Sequence, residues 1–259
     1  MEVWQYQEGA FSSVTREIIR EIPSVIMLNG EKIAVVASSG RYADELAIGF
    51  LHSEGLITTR EEIEKIDTDS ADHVINVFTK NAITIALSSH KTIASSGARG
   101  VVENHTEAGD SMFAKDSMVL TPETVFLLMD GLLEASSLHD STGGTHSAAL
   151  ASKEGLLATR EDIGRHNAID MLGGYALLNA VDCTDKIIVR TGRVSSEIVH
   201  KIRRLGIPLV ISISVPTAMA VKLAEDAGIT LVGSIRGGKF IVYTHEERLS
   251  ELFVDPLPQ

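Results

Sequence analysis

The sequence predicts an α/β protein with a partly parallel sheet in its C-terminal part and a smaller α+β part before it. Three observations predict this class. From residue 186 onward, short β-branched runs alternate with helical patterns, the signature of a sheet covered by helices. Before residue 88, hairpin signals and isolated helical patterns mix without that alternation. Hydrophobic residues make up 44% of 259, enough for a packed core and too many for a disordered chain. The pattern divides the chain into residues 1–116, α+β with a long loop at 88–116, and residues 117–259, the α/β part.

Taken in order, Ser24–Leu28 and Ile33–Val36 read as strands joined by Asn29-Gly30, the strongest short hairpin signal. Asp44 to Leu56 reads as a helix with Leu46, Phe50 and Leu51 on one face and Gly55 past its end. Thr59 to Ile66 reads as a second, charged helix. Val74–Phe78 and Ala82–Leu87 alternate and are expected to pair. Ser88 to Asp116 has no periodicity, which marks a functional or mobile loop. Thr121-Pro122-Glu123 opens a helix, with Thr121 as cap, Pro122 in the first turn and Glu123 at the positive end. Its predicted buried stripe is Val125, Leu128, Met129, Leu132 and Leu133. Ala148 to Ala158 is expected to turn as a hairpin at Lys153-Glu154-Gly155. Then follow strand Lys186–Arg190, helix Ser195–Leu205, strand Pro208–Ile213, helix Pro216–Ala227, strand Ile229–Val232 and a final edge strand Lys239–Tyr243.

A net charge of −12 argues against a general binder of nucleic acid or of membrane surfaces, which want basic patches. The one cysteine, Cys183, rules out an internal disulfide or a thiolate metal cluster and reads as a small buried apolar residue. Met1 to Ala10 has no apolar run of the kind a signal peptide needs, and no stretch approaches ~18 consecutive apolar residues. A soluble, cytoplasmic protein is the expectation.

The chemistry concentrates between Thr142 and Asp170. Thr142-Gly143-Gly144-Thr145-His146-Ser147 precedes the expected hairpin, and Glu161-Asp162-Ile163-Gly164-Arg165-His166-Asn167 follows it. A hairpin brings the two clusters to one sheet end. Ala168, Ile169, Leu172, Ala176 and Leu177 then recur at helical spacing. Unbonded N–H groups at that helix start, beside Arg165 and His166, suit an anion such as phosphate. Equally, Asp162 is a candidate helix cap and the glycines are candidate turn residues. In parallel sheets ligands gather at the carboxyl ends of strands. The loops expected there carry Thr191-Gly192-Arg193, Ser212 to Thr217, and Ser234-Ile235-Arg236-Gly237-Gly238-Lys239, so Arg165, Arg193, Arg236 and Lys239 supply charge for a phosphate-bearing ligand. No Walker loop and no G-x-G-x-x-G follows a strand. A zinc deaminase would need H-x-E or C-x-E with P-C-x-x-C, and none is present. A hydrolase built on His146 or His166 lacks a nucleophile elbow and stands as a minor alternative.

Thr142–His146 and Glu161–Asp170 resemble the formate dehydrogenase accessory family FdhD/NarQ. So do Glu21-Ile22-Pro23 with Asn29-Gly30, the stretch Asp44 to Ile57, Thr191-Gly192-Arg193-Val194-Ser195-Ser196-Glu197, Gly206-Ile207-Pro208, Pro216-Thr217 and Gly228–Gly233. The resemblance implies a cytidine-deaminase-like three-layer core without zinc, in a homodimer. It implies a sulfur carrier, or sulfurtransferase, acting between a cysteine desulfurase and the molybdenum bis(guanine dinucleotide) cofactor of formate dehydrogenase. The family's cofactor-binding segment maps onto Ser234, Ile235, Arg236, Gly237, Gly238 and Lys239, with Gly143, Gly144, His146, Gly164, Arg165, His166 and Arg193 expected beside the cofactor. One departure bears on the chemistry. Ser96 and Arg99 stand where the family loop has its two cysteines, and a hydroxyl cannot hold a transferable sulfane sulfur. A cofactor chaperone without covalent sulfur transfer is therefore the alternative.

Overall fold

The computed structural model describes residues 1–81 and 118–249. The expected strand Ala82–Leu87, the loop 88–116 with Ser96, and the boundary at 116 lie outside the described residues.

The chain begins with an antiparallel hairpin, β1 (Glu2–Gln7) and β2 (Ala10–Thr15), which composition did not announce. Its register puts Trp4, Tyr6 and Phe11 on one face, and Trp4 is 75% exposed. Next come β3 (Ile22–Leu28) and β4 (Glu31–Ser38), turning at Asn29-Gly30 with both φ values positive, as that dipeptide predicts. Helix α1 spans Ala43–Ser53. The expected helix at 59–66 is a correction. Only Arg60–Glu62 forms a 3-10 turn, and β5 (Ile63–Asp69) follows. The i, i+3 spacing of Ile63 and Ile66 looks helical, but backbone pairing to β6 (Val74–Thr79) decides the segment. Its Glu64, Lys65 and Asp67 suit an edge strand, where charge discourages pairing with another chain. The four strands run in the order β4-β3-β6-β5, with β3 and β6 parallel. Ile26, Leu28, Val36, Ile75 and Val77 from this sheet pack on Leu46, Ile48, Phe50 and Leu51 of α1.

The larger sheet has six strands in the order β12-β11-β10-β9-β7-β8. They are β7 (His146–Ser152), β8 (Gly155–Asp162), β9 (Ile187–Arg190), β10 (Leu209–Ser212), β11 (Thr230–Arg236) and β12 (Lys239–Thr244). β9, β10 and β11 are parallel, and β7, β8 and β12 complete the sheet in antiparallel pairs. Helix α2 (Pro122–Glu134) covers one face, and Thr121 caps it by accepting from the Thr124 N–H. Val125, Leu128, Met129 and Leu132 meet Ala149, Ile187, Val189, Leu209 and Ile211 there. Leu133, expected in that stripe, is 39% exposed, because one helical step turns it away from the sheet. A short helix α3 (Ser137–Thr142), also unforeseen, follows. The carboxylate of Glu161 on β8 accepts from the Leu138 and His139 N–H groups at 2.9 and 2.8 Å and so holds its start.

Helices α4 (Arg165–Leu178), α5 (Ser196–Arg204) and α6 (Ala218–Ala227) cover the other face, over Ala148, Leu150, Ile188, Val210 and Leu231. α4 is buried on two sides, since α1 packs on its outer face and Met171 joins the core of the smaller sheet. A Cβ built on Gly49 would sit 1.7 Å from the Asp170 carbonyl oxygen, and one on Gly174 would sit 1.9 Å from that of Glu45. The helices meet backbone to backbone, so the α1 motif is in large part a packing requirement. The layers are then small sheet, α1, α4–α6, large sheet, α2. No helix among the described residues is long and apolar enough to cross a membrane.

Candidate functional site

Strand direction gathers the chemistry. Because β7 runs antiparallel to both β8 and β9, the start of β7, the end of β8 and the carboxyl ends of β9, β10 and β11 share one edge of the sheet. The pairs His146↔Asp162 and Ala148↔Arg190 fix the register there. Side chains alternate across a strand, so His146, Ala148, Ile188, Arg190, Val210 and Ser212 all face the α4–α6 layer. The first turns of α4 and α5 begin over that same edge, and they leave N–H groups without intrahelical acceptors.

Each acidic group at this edge has its own structural task. Asp162 accepts from the Gly164 N–H at 2.9 Å, from Asn167 Nδ2 at 2.6 Å and from the Ser39 N–H at 2.7 Å. Asn167 also donates to the Ala37 carbonyl, so this one corner joins α4 to the end of β4. Burial pushes the Asp162 carboxyl up, against the pull of those donors. Asp162 is thus a positioning residue for the turn before α4 and not the cap it was a candidate for: Gly164 stands at the N-cap with no side-chain cap bond, because Asp162 reaches the Gly164 N–H and not an N–H of the first turn. Glu161 faces the opposite side and takes the Ser147 hydroxyl besides the α3 amides.

The basic groups have fewer partners. A Cβ on Gly192 would stand 2.9 Å from Arg190 Nη2, 3.2 Å from Arg165 Cβ and 3.4 Å from His146 Nδ1, so these three converge on a residue with no side chain. Burial and the neighbouring Arg190, Arg165, His139 and Arg193 hold the His146 imidazole below its usual range. His166 is pushed down to about 3, by burial first and then by Lys201, Arg165 and Arg190. Its Nε2 lies 3.0 Å from Glu197 Oε2, out of line for a hydrogen bond. Arg165 Nε and the Ser195 hydroxyl, at the starts of α4 and α5, are buried without acceptor or donor partners. A cluster of cations and neutral imidazoles at two helix starts is arranged for an anion.

Of the residues expected from sequence, the structure brings His146, Gly164, Arg165, His166 and Arg193 to this edge. Gly143 and Gly144 are exposed just before β7, at the end of α3. Ser234–Lys239 forms the β11–β12 turn at the same end of the sheet, with Arg236, Gly237, Gly238 and Lys239 exposed. Ser234 has φ of 58° and bonds the Tyr243 hydroxyl at 2.8 Å, making a bulge before that turn. Sequence reasoning missed Arg190, which it counted as the last residue of a strand. The available signal was an arginine two residues after Ile188, on the helix-facing side of a strand and directly before Thr-Gly. Cys183 lies at the opposite end, before β9. Burial pushes its thiol up to about 11. Among the described residues no three His, Cys, Asp or Glu side chains gather as a metal site.

The model of the FdhD/NarQ family matches residues 19–250. The chain is 36% identical to the sulfur carrier protein FdhD of Bacillus subtilis, over 96% of this chain and 97% of that protein. It is 37% identical to the sulfur carrier protein FdhD of Bacillus pumilus, over 96% of each. Among solved structures it is similar to a putative formate dehydrogenase accessory protein from Desulfotalea psychrophila. That match has a TM-score of 0.78 and 26% identity, over 96% of this chain and 97% of the other.

Proposed function

The chain belongs to the FdhD/NarQ family, and from that premise we propose that it is a sulfur-carrier-type accessory protein for formate dehydrogenase. In this reading it binds the molybdenum bis(guanine dinucleotide) cofactor as its client and supports the passage of sulfur to it from a cysteine desulfurase. The core is read as cytidine-deaminase-like without zinc, the assembly as a homodimer and the compartment as the cytoplasm. The carrying observation is the convergence of His146, Arg165 and Arg193 with two helix starts at the carboxyl edge of the large sheet. Phosphates of a dinucleotide need such donors, and the exposed turn Ser234–Lys239 at that same sheet end suits a further part of a long ligand. The neutral imidazoles of His146 and His166 donate or accept there without adding charge.

A second reading is favoured by the chain's thiol inventory. Sulfane sulfur is carried by a thiolate, and the one cysteine is buried, has a raised pKa and lies at the far end of the sheet. A chaperone that holds the cofactor while a partner's thiol delivers sulfur fits these residues. Intact-mass analysis after incubation with a cysteine desulfurase and cysteine separates the two. No persulfide on wild type is the outcome expected for the chaperone, and a persulfide on wild type that disappears in Cys183→Ala would overturn it. Calorimetry with GDP tests the shared premise: binding that weakens in Arg236→Ala supports a guanine nucleotide ligand, and no heat with wild type removes it.

A further inference from the structure

The guanidinium of Arg190 is 1% exposed, on the helix side of β9 and under the starts of α4 and α5. Nε donates to the Gly192 carbonyl at 3.0 Å, while Nη1 is buried with no acceptor. No carboxylate pairs with it among the described residues. The candidates are engaged elsewhere: Asp162 by three donors, Glu161 on the other face by α3, and Glu197 beside His166. Instead a second arginine, Arg165, stands across Gly192, with its Cβ 3.2 Å from a Cβ built there, and its own buried Nε has no partner. Burial and that neighbour pull Arg190 down to about 9. A fully buried guanidinium with an unmade bond, a second arginine beside it and no counterion among the described residues is costly to bury. An oxyanion seated between them removes that cost, because it accepts the buried N–H groups and neutralises the charge.

We propose that Arg190, with Arg165, Ser195 and the opening turns of α4 and α5, is an inner receptor for a phosphate-class oxyanion, distinct from the exposed Ser234–Lys239 turn. The proposal deepens the nucleotide reading above and rests on it for one point: the oxyanion is the diphosphate of a guanine nucleotide. Free phosphate or pyrophosphate offers the same chemistry. Gly192 is part of the device, since any side chain there would meet Arg190 Nη2 and fill the space between the arginines. The length of α4, 14 residues, and of α5, 9 residues, lets both present developed N-terminal dipoles.

The test is calorimetry on the full chain at low salt with inorganic phosphate, pyrophosphate, GDP and guanosine. Wild type, Arg190→Gln, Arg165→Gln and Arg236→Ala are compared. Pyrophosphate and GDP are expected to bind wild type, guanosine at least tenfold more weakly. Arg190→Gln is expected to weaken pyrophosphate and GDP at least tenfold, and Arg165→Gln less. A second readout separates reception from scaffolding. Without ligand, Arg190→Gln should melt at or above the wild-type temperature, because an unpaired buried charge has gone, while the ligand-induced rise in Tm disappears. A purely structural Arg190 would instead lower the ligand-free Tm. Should Arg190→Gln misfold, loss of pyrophosphate binding in Arg165→Gln carries the test. Pyrophosphate binding that depends on Arg190 without any for GDP leaves the receptor standing and removes the nucleotide reading. GDP binding undiminished in Arg190→Gln but lost in Arg236→Ala does the reverse, and a wild type that binds none of these oxyanions overturns the receptor.

Discussion

At the scale of single residues, two histidines are kept neutral by where the fold puts them. The His166 pKa falls to about 3 and that of His146 is also lowered, with burial the first cause and nearby cations the second. Unfolded histidine titrates near 6.5. Below that pH the unfolded chain takes up protons that the folded chain refuses, so native stability falls as pH drops from about 6.5 toward 3. Urea melts at pH 7 and pH 5 are expected to differ by on the order of 1 kcal/mol per pH unit for His166 alone. His166→Gln should flatten that difference, and an unchanged pH slope in the variant would contradict the assignment. A bound phosphate should flatten it too, by offsetting the positive field of the arginines.

At the scale of elements, the α1–α4 crossing is set by glycine. Gly49→Ala places a methyl group inside the closest contact, 1.7 Å from a backbone oxygen, and neither backbone has a side chain to move aside. A loss of about 3 kcal/mol or more in chemical denaturation is expected. Gly131 in α2 is the contrasting case. A Cβ there meets only Leu156 Cδ1 at 3.7 Å, so Gly131→Ala should stabilise by about 0.5–1 kcal/mol through helix propensity. Equal effects of the two substitutions would refute the packing argument.

At the scale of the whole molecule, the smaller sheet and the large one are joined through buried polar contacts as well as through α1. Lys201 on α5 meets Asp170 on α4 at 2.7 Å, and both reach Ser53 on α1. Asp170 is fully enclosed, so Lys201→Met strands a buried carboxylate and should cost about 3–5 kcal/mol. Adding Asp170→Leu should recover most of that loss, because the stranded charge is then removed; a double variant as unstable as the single one would show that shape, not charge, is decisive. The net charge of −12 belongs to this scale as well. The acidic surface disfavours unspecific anion binding, which leaves the sheet edge with Arg165, Arg190 and Arg193 as a local exception.

What the residues determined by themselves was whatever local periodicity and turn chemistry control. Asn29-Gly30, the Thr121 cap, the β7–β8 hairpin and the β9–α5–β10–α6–β11 alternation follow from neighbours in sequence, and the structure keeps them. The edge that collects His146, Arg165, His166 and Arg193 followed too, because strand direction fixes which loops share an end. Tertiary structure decided the rest. Ile63 and Ile66 entered a strand because β6 offered backbone partners, and α3 formed where Glu161 could reach its amides. Arg190 became a buried cation with no paired carboxylate among the described residues only once β7, β9, α4 and α5 had closed over it, and no count of charges along a chain records which of them lose their water.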